Sequence, residues 1–170
     1  FFPYTLGLCD VDDDGDADYL WKFMDTLRWS ANDGNGIPLP SQTLMPLSIG
    51  VQYYSPLDLN ADGLEDLLIV ASDSLIFLHN TGSDQFAIGN EFAYDGIQYE
   101  LGDLDGNGFL DLVTINIDGD IFWYPNFGNG NIGGPFTLIT GPEHTGRNDI
   151  TLADMDGDGD LDVPTCSDQG

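Results

Sequence analysis

One nine-residue pattern occurs four times in this 170-residue chain, and nothing else limits its fold so strongly. The copies are Asp10-Val-Asp12-Asp-Asp14-Gly15-Asp16-Ala-Asp18, Asp58-Leu-Asn60-Ala-Asp62-Gly63-Leu64-Glu-Asp66, Asp103-Leu-Asp105-Gly-Asn107-Gly108-Phe109-Leu-Asp111 and Asp154-Met-Asp156-Gly-Asp158-Gly159-Asp160-Leu-Asp162. Each reads Asp-x-Asp/Asn-x-Asp/Asn-Gly-x-x-Asp. They begin at 10, 58, 103 and 154, so successive copies lie 48, 45 and 51 residues apart. A fixed period of that length marks one supersecondary unit repeated along the chain, in the range of propeller blades.

The flanks repeat with the loops. Each loop runs into a β-prone stretch: Tyr19–Phe23, Leu67–Val70, Leu112–Ile115 and the weaker Val163–Cys166. In the first three repeats a second strand follows: Leu27–Trp29, Leu75–Leu78 and Ile121–Tyr124. An Asn-x-Gly turn closes each, at Asn32, Asn80 and Asn126, and both residue types tolerate the positive φ of such turns. Further strands are expected at Phe136–Ile139 and ahead of each loop, as in Tyr4–Leu8 and Ile150–Leu152. Short strands split by Gly, Pro and Asn, with no useful helical periodicity, predict an all-β fold of four-stranded antiparallel blades. About three and a half blades are expected, in one domain spanning 1–170 with repeats starting near 4, 50, 96 and 147. The Trp, Phe and Tyr residues are expected to pack neighbouring sheets together.

Charge decides what the loops are for. The chain carries 30 acidic residues against three basic ones, Lys22, Arg28 and Arg147, a net charge of −27. Such a chain repels nucleic acid and anionic membranes, whose binding draws on Lys and Arg. No apolar run approaches the ~20 residues of a membrane-spanning helix, so membrane insertion is not expected. Of the 30 acids, 14 sit at loop positions 1, 3, 5 and 9, with Asn60 and Asn107 filling the other two places. Carboxylates gathered this closely repel one another unless a cation neutralises them.

Calcium fits the pattern. It takes about six to eight oxygen ligands in flexible geometry. Side chains at positions 1, 3 and 5 converge if the chain curls tightly, Gly at position 6 permits the curl, and Asp at position 9 closes the shell. Position 7 offers its backbone carbonyl, so its side chain is free to vary: Asp16, Leu64, Phe109 and Asp160. About four ions are expected, one per loop. Loops 2 and 3, with three side-chain acids each, are expected to bind less tightly than loops 1 and 4. The EF-hand alternative needs an acid at position 12, where Trp21, Ile69, Thr114 and Thr165 stand. Magnesium demands stricter octahedral geometry, and zinc would want His79, His144, Cys9 or Cys166, all outside the loops.

Loop, following strand and period together resemble the FG-GAP and VCBS repeats, the blades of integrin-α-type β-propellers. The resemblance covers essentially the whole chain and is nearer the VCBS variant, since clear Phe-Gly and Gly-Ala-Pro signatures are missing. It implies that each loop joins two strands of a blade and holds calcium at positions 1, 3, 5, 7 and 9. Because such propellers usually close with more blades, the chain is expected to be a fragment or to be completed by a second copy through exposed sheet edges.

Function follows as an expectation: a non-catalytic, extracellular or cell-surface scaffold that mediates adhesion or assembly through a protein partner or self-association. The alternative is a carbohydrate-binding module, with Trp29, Trp123 and Tyr124 as exposed candidates and Tyr53, Tyr54 and Tyr99 behind them. An enzyme is not expected. The chain shows no nucleophile elbow, phosphate loop or His-Glu-x-x-His, and His79 and His144 read as turn or surface histidines. Cys9 and Cys166 form one disulfide or remain two thiols.

Overall fold

In the computed structural model of the chain, residues 4–47, 50–71, 73–140 and 149–165 are the ones described. His144, Arg147 and Cys166 lie outside them. Among the described residues there are twelve strands and no helix, hence none long and apolar enough to cross a membrane. The chain forms two compact units, residues 1–94 and 95–170.

The first unit holds two four-stranded antiparallel sheets. One runs in chain order through β1 (Tyr4–Cys9), β2 (Asp18–Phe23), β3 (Thr26–Ser30) and β4 (Gln42–Pro46). The other runs through β5 (Val51–Leu57), β6 (Asp66–Ala71), β7 (Ser74–Asn80) and β8 (Phe86–Ala93). Loop 1 joins β1 to β2, and loop 2 joins β5 to β6. Chain-order meanders need only short hairpin turns, which is why Asn-x-Gly recurs at matching places.

Burial falls off from the middle of each sheet outwards. The apolar run Leu67–Val70 makes β6 buried along its whole length, as a strand covered on both faces must be. The last strands, β4 and β8, are mostly exposed. Leu20, Leu27 and Trp29 of one sheet and Leu67, Ile69, Ile76 and Leu78 of the other form one buried cluster. Each such side chain contributes roughly 1.5–3 kcal/mol of hydrophobic stabilisation. The pairing register slips between Leu27 and Arg28, and again between Ile76 and Leu78. A bulge at neighbouring places in the two sheets increases the twist of the outer strand.

The second unit repeats the design once more with β9 (Gly96–Gly102), β10 (Asp111–Asn116), β11 (Ile121–Tyr124) and β12 (Phe136–Ile139), and loop 3 joins β9 to β10. Strand β10 is fully buried. Ile150, Leu152 and Val163, which flank loop 4, pack against Val113, Ile115 and Ile121. The Gln98 side chain brackets Ile150 from both sides, donating to its carbonyl at 3.0 Å and accepting its N–H at 3.2 Å. Full strands expected on either side of loop 4 are reduced to two isolated bridges, Ile150 with Thr165 and Ala153 with Asp162. Pro164 lies between the bridged residues and has no N–H to extend the ladder.

The aromatics named for the alternative carbohydrate-binding reading need correction, while the packing expectation holds for Trp29 and Tyr124. Trp29 and Tyr124 are buried at 2% and 3% exposure, so neither is a surface platform. Trp123 is half-buried and leans on Phe136, with ring centroids 6.0 Å apart. Tyr53 is the exposed member of the set, at 64%.

Candidate metal centre

The loops fold by spending carboxylate oxygens on their own backbone. In loops 1 to 3 the position 1 side chain accepts two N–H groups from further along the loop. Asp10 takes those of Asp14 and Gly15, Asp58 those of Asp62 and Gly63, and Asp103 those of Asn107 and Gly108, all between 2.8 and 3.2 Å. Asp154 does the same for Gly157 and Gly159 in loop 4. The position 5 side chains Asp14, Asp62, Asn107 and Asp158 each accept the N–H of position 7 at 2.8–3.0 Å. Local bonds of this kind hold Asx-type turns and bring the side chains inward.

The backbone pays for the curl at two places. Gly15, Gly63, Gly108 and Gly159, at position 6, have φ between +88° and +100°. Position 4 is left-handed as well: Asp13 at +60°, Ala61 at +57°, Gly106 at +72° and Gly157 at +81°. A β-carbon at such a φ costs about 1 kcal/mol, so loops 3 and 4, with glycine there, are less strained than loop 2 with Ala61. The sequence reading missed this second requirement, although Gly106 and Gly157 signalled it.

Position 9 differs from the others because it is buried. Asp18, Asp66 and Asp111 are each 0% exposed. One oxygen accepts the N–H of position 2: Val11 to Asp18, Leu59 to Asp66 and Leu104 to Asp111, at 3.0–3.1 Å. The other accepts the N–H of the Asn that opens the next turn: Asn32 at 2.8 Å, Asn80 and Asn126 at 2.7 Å. His79 Nδ1 lies 3.4 Å from Asp66, and Trp123 Nε1 donates to Asp111 at 3.0 Å. Each of these carboxylates therefore ties the loop to the hairpin beyond it. In loop 4 Asp162, which is exposed, makes the first tie, to Met155 N–H at 2.9 Å, and no second one among the described residues.

Three loops bring carboxylates from positions 1, 3 and 9 together. One oxygen from each of Asp10, Asp12 and Asp18 lies within 4.8 Å of the others, and the same holds for Asp103, Asp105, Asp111 and for Asp154, Asp156, Asp162. The position 5 acids Asp14 and Asp158 stand outside these trios. Loop 2 makes no all-acid trio, because position 3 is Asn60, whose amide donates to Asp62 at 3.0 Å. In loop 3 the Asn107 amide turns away and donates to the Asn126 carbonyl at 2.8 Å.

Electrostatics favours a cation most clearly in loop 1. Asp12 has one buried oxygen, Oδ1, with no hydrogen-bond partner. Burial, and then the charges of Asp18, Asp14, Asp84 and Asp10, push its carboxyl above the ordinary range. Burial likewise raises Asp18 against the bonds from Asn32 and Val11, and raises Asp66 against those from Asn80 and His79. An orphaned, partly desolvated oxygen among like charges suits a hard divalent cation.

Residues 103–163, which span loop 3, blade β9–β12 and loop 4, match the family model described as FG-GAP-like repeat. This segment is an FG-GAP-like repeat. The blades are of the β-propeller type found in solved structures. An Agrocybe aegerita lectin, described for its recognition of non-reducing terminal N-acetylglucosamine, superposes with a TM-score of 0.66 at 21% identity over 93% of this chain. The Photorhabdus luminescens Tc holotoxin pore superposes with a TM-score of 0.52 at 24% identity over 96%. This chain spans 45% of the lectin and 8% of the toxin chain. At such identities the likeness concerns the fold. No curated protein matches the chain.

Proposed function

We propose that this FG-GAP-like chain is a calcium-stabilised, non-catalytic repeat scaffold that works outside the cell in adhesion or assembly. The observation that carries the reading is the gathering of carboxylates at positions 1, 3 and 9, with the buried Asp12 oxygen left for a cation. Asp10, Asp12 and Asp18, with their counterparts in the other loops, would hold the ion, which when bound supplies the positive charge these clusters lack. The residues themselves shape the loop, bind the ion and link it to the blade. Loops of this type suit the roughly millimolar calcium outside cells. The mostly exposed outer strands β4, β8 and β12 offer sheet edges to a protein partner or second copy.

Equilibrium dialysis of the full chain against calcium, read beside melting curves in chelator, tests this. We expect about four ions, with loops 1 and 4 tighter than loops 2 and 3. Calcium at ~100 times a site's Kd should stabilise by about 2.7 kcal/mol for that site. Empty loops at ~10 mM calcium, with a melting point indifferent to chelator, would overturn the proposal.

A glycan-binding reading has one observation in its favour, the fold shared with a lectin that recognises terminal N-acetylglucosamine. Burial of Trp29 and Tyr124 removes two of its three lead residues.

A further inference from the structure

Resting on the calcium reading, we infer that Glu65 and Asn80 of the second blade position the first loop, so that loops 1 and 2 fill as a coupled pair. Position 8 holds Ala17, Glu65, Leu110 and Leu161 in the four loops, an acid only once. Glu65 Oε2 accepts the backbone N–H of Asp10 at 2.7 Å, 55 residues away in the chain. Asp10 is position 1 of loop 1, and its two oxygens hold the N–H groups of Asp14 and Gly15. Glu65 itself stands between Leu64 and Asp66, positions 7 and 9 of loop 2. An ion in loop 2 therefore fixes the backbone on both sides of the group that seats Asp10.

A second tie reaches the same spot. In blades 1 and 3 the turn asparagine donates its amide to its own loop, Asn32 to the Ala17 carbonyl at 3.3 Å and Asn126 to the Leu110 carbonyl at 3.1 Å. Asn80 reaches out of its own loop. Its buried amide donates to the Val11 carbonyl of loop 1 at 3.2 Å, across 69 residues. Its N–H rests on Asp66 at 2.7 Å. The ninth carboxylate of loop 2 is thus linked through Asn80 to the residue between Asp10 and Asp12.

The second unit supplies an internal contrast. Leu161, at position 8 of loop 4, packs onto the approach to loop 3, where a β-carbon on Gly102 would lie 2.8 Å from its Cδ1. The approach is occupied in the same way, but by a methyl group that can take no N–H. Contact without the hydrogen bond should leave loops 3 and 4 independent in this respect. Coupling between loops 1 and 2 is reciprocal by linkage, so each ion raises the affinity for the other.

Amide NMR spectra of the full chain test this, because Gly15, Gly63, Gly108 and Gly159 donate to the position 1 carboxylates and each reports its own loop. Disabling loop 2 with Asp58→Asn and Asp62→Asn should raise the calcium midpoint of Gly15 about fivefold or more and leave that of Gly108 unchanged. In a Glu65→Ala background the same disabling should move Gly15 much less, and Glu65→Gln, which can still accept the Asp10 N–H, should restore the effect. If no glycine amide responds to calcium, the calcium reading itself fails. If the amides respond but Gly15 ignores the state of loop 2, or Glu65→Ala leaves the coupling whole, the inference fails alone.

Discussion

Replacing Asp111 by asparagine separates two jobs that one carboxylate performs. Asp111 accepts three donors: Leu104 N–H and Trp123 Nε1–H on one oxygen, both at 3.0 Å, and Asn126 N–H on the other at 2.7 Å. An amide of the same shape has a single acceptor oxygen. Placed towards Leu104 and Trp123, it leaves Asn126 N–H facing an NH2 group; placed the other way, it strands two donors. A stranded buried donor costs about 1–3 kcal/mol, and each surviving bond loses about 1 kcal/mol with the charge. Relief of repulsion against Asp103 and Asp105 returns up to roughly 2 kcal/mol at water-like screening. The net is a loss of about 1–3 kcal/mol, or a fall of roughly 5–20 °C in the melting point of a unit this size. The assay is urea unfolding in chelator, followed by the fluorescence and indole NMR signal of Trp123. Asp105→Asn serves as the control, because Asp105 is exposed and its one bond, to Asn107 N–H, survives the change. That variant should equal the parent in chelator or exceed it by the same relieved repulsion, up to roughly 2 kcal/mol, and lose stability only in calcium. An Asp111→Asn midpoint equal to the parent's in chelator would refute the reasoning, leaving Asp111 as a ligand with no share in the fold.

Two further outcomes are expected. Cys9 is buried, and burial followed by the charge and hydrogen bond of Glu65 drives its thiol far above the ordinary range. In a Cys166→Ser variant, Cys9 should resist a disulfide reagent at about pH 8 until urea opens the first unit; prompt labelling of the folded chain would contradict its placement. Acidity should act in opposite directions with and without calcium. Asp18 and Asp66 have raised values in the metal-free fold, so the folded chain binds more protons than the unfolded one just above the ordinary carboxyl range. Stability in chelator should therefore rise as pH is lowered from about 7 into that window, whereas in calcium, which needs ionised ligands, it should fall. Urea midpoints across pH in the two conditions read the sign directly.

What the chain of residues disclosed follows from how each element is stabilised. Strands β2, β6 and β10, with their partners β3, β7 and β11, were legible because they are runs of apolar side chains bounded by turn residues. Strands β4 and β8 were not, since Gln42–Pro46 and Phe86–Ala93 lie mostly in water and send only a few side chains, Leu44, Met45 and Phe86, to the core, too few to make a pattern. The four loops were plain from spacing alone. Their internal division of labour was hidden, because a list of alternating aspartates does not say that positions 1 and 5 serve the backbone while position 9 serves the neighbouring hairpin. Glu65 looked like a neutral variation in loop 2. Its role depends on Asp10, 55 residues earlier, and only packing of β1 beside β5 brings them together. Trp29 and Tyr124 fitted both the packing expectation and the glycan-binding alternative, because residue type does not disclose which side of a sheet faces the next one.

Positions 3 and 5 are each asparagine in one copy, at Asn60 and Asn107, while the first and the ninth residues are aspartate every time. An amide can stand in for a ligand, but it cannot take hydrogen bonds at both ends of a buried clamp. A blade that abandoned its ion could thus shed the acids at positions 3 and 5 and would still keep the first and the last. A pair of aspartates at positions 1 and 9 alone, the second just before an apolar strand, with an Asn-x-Gly turn one hairpin later, is what a fossil of such a loop would look like.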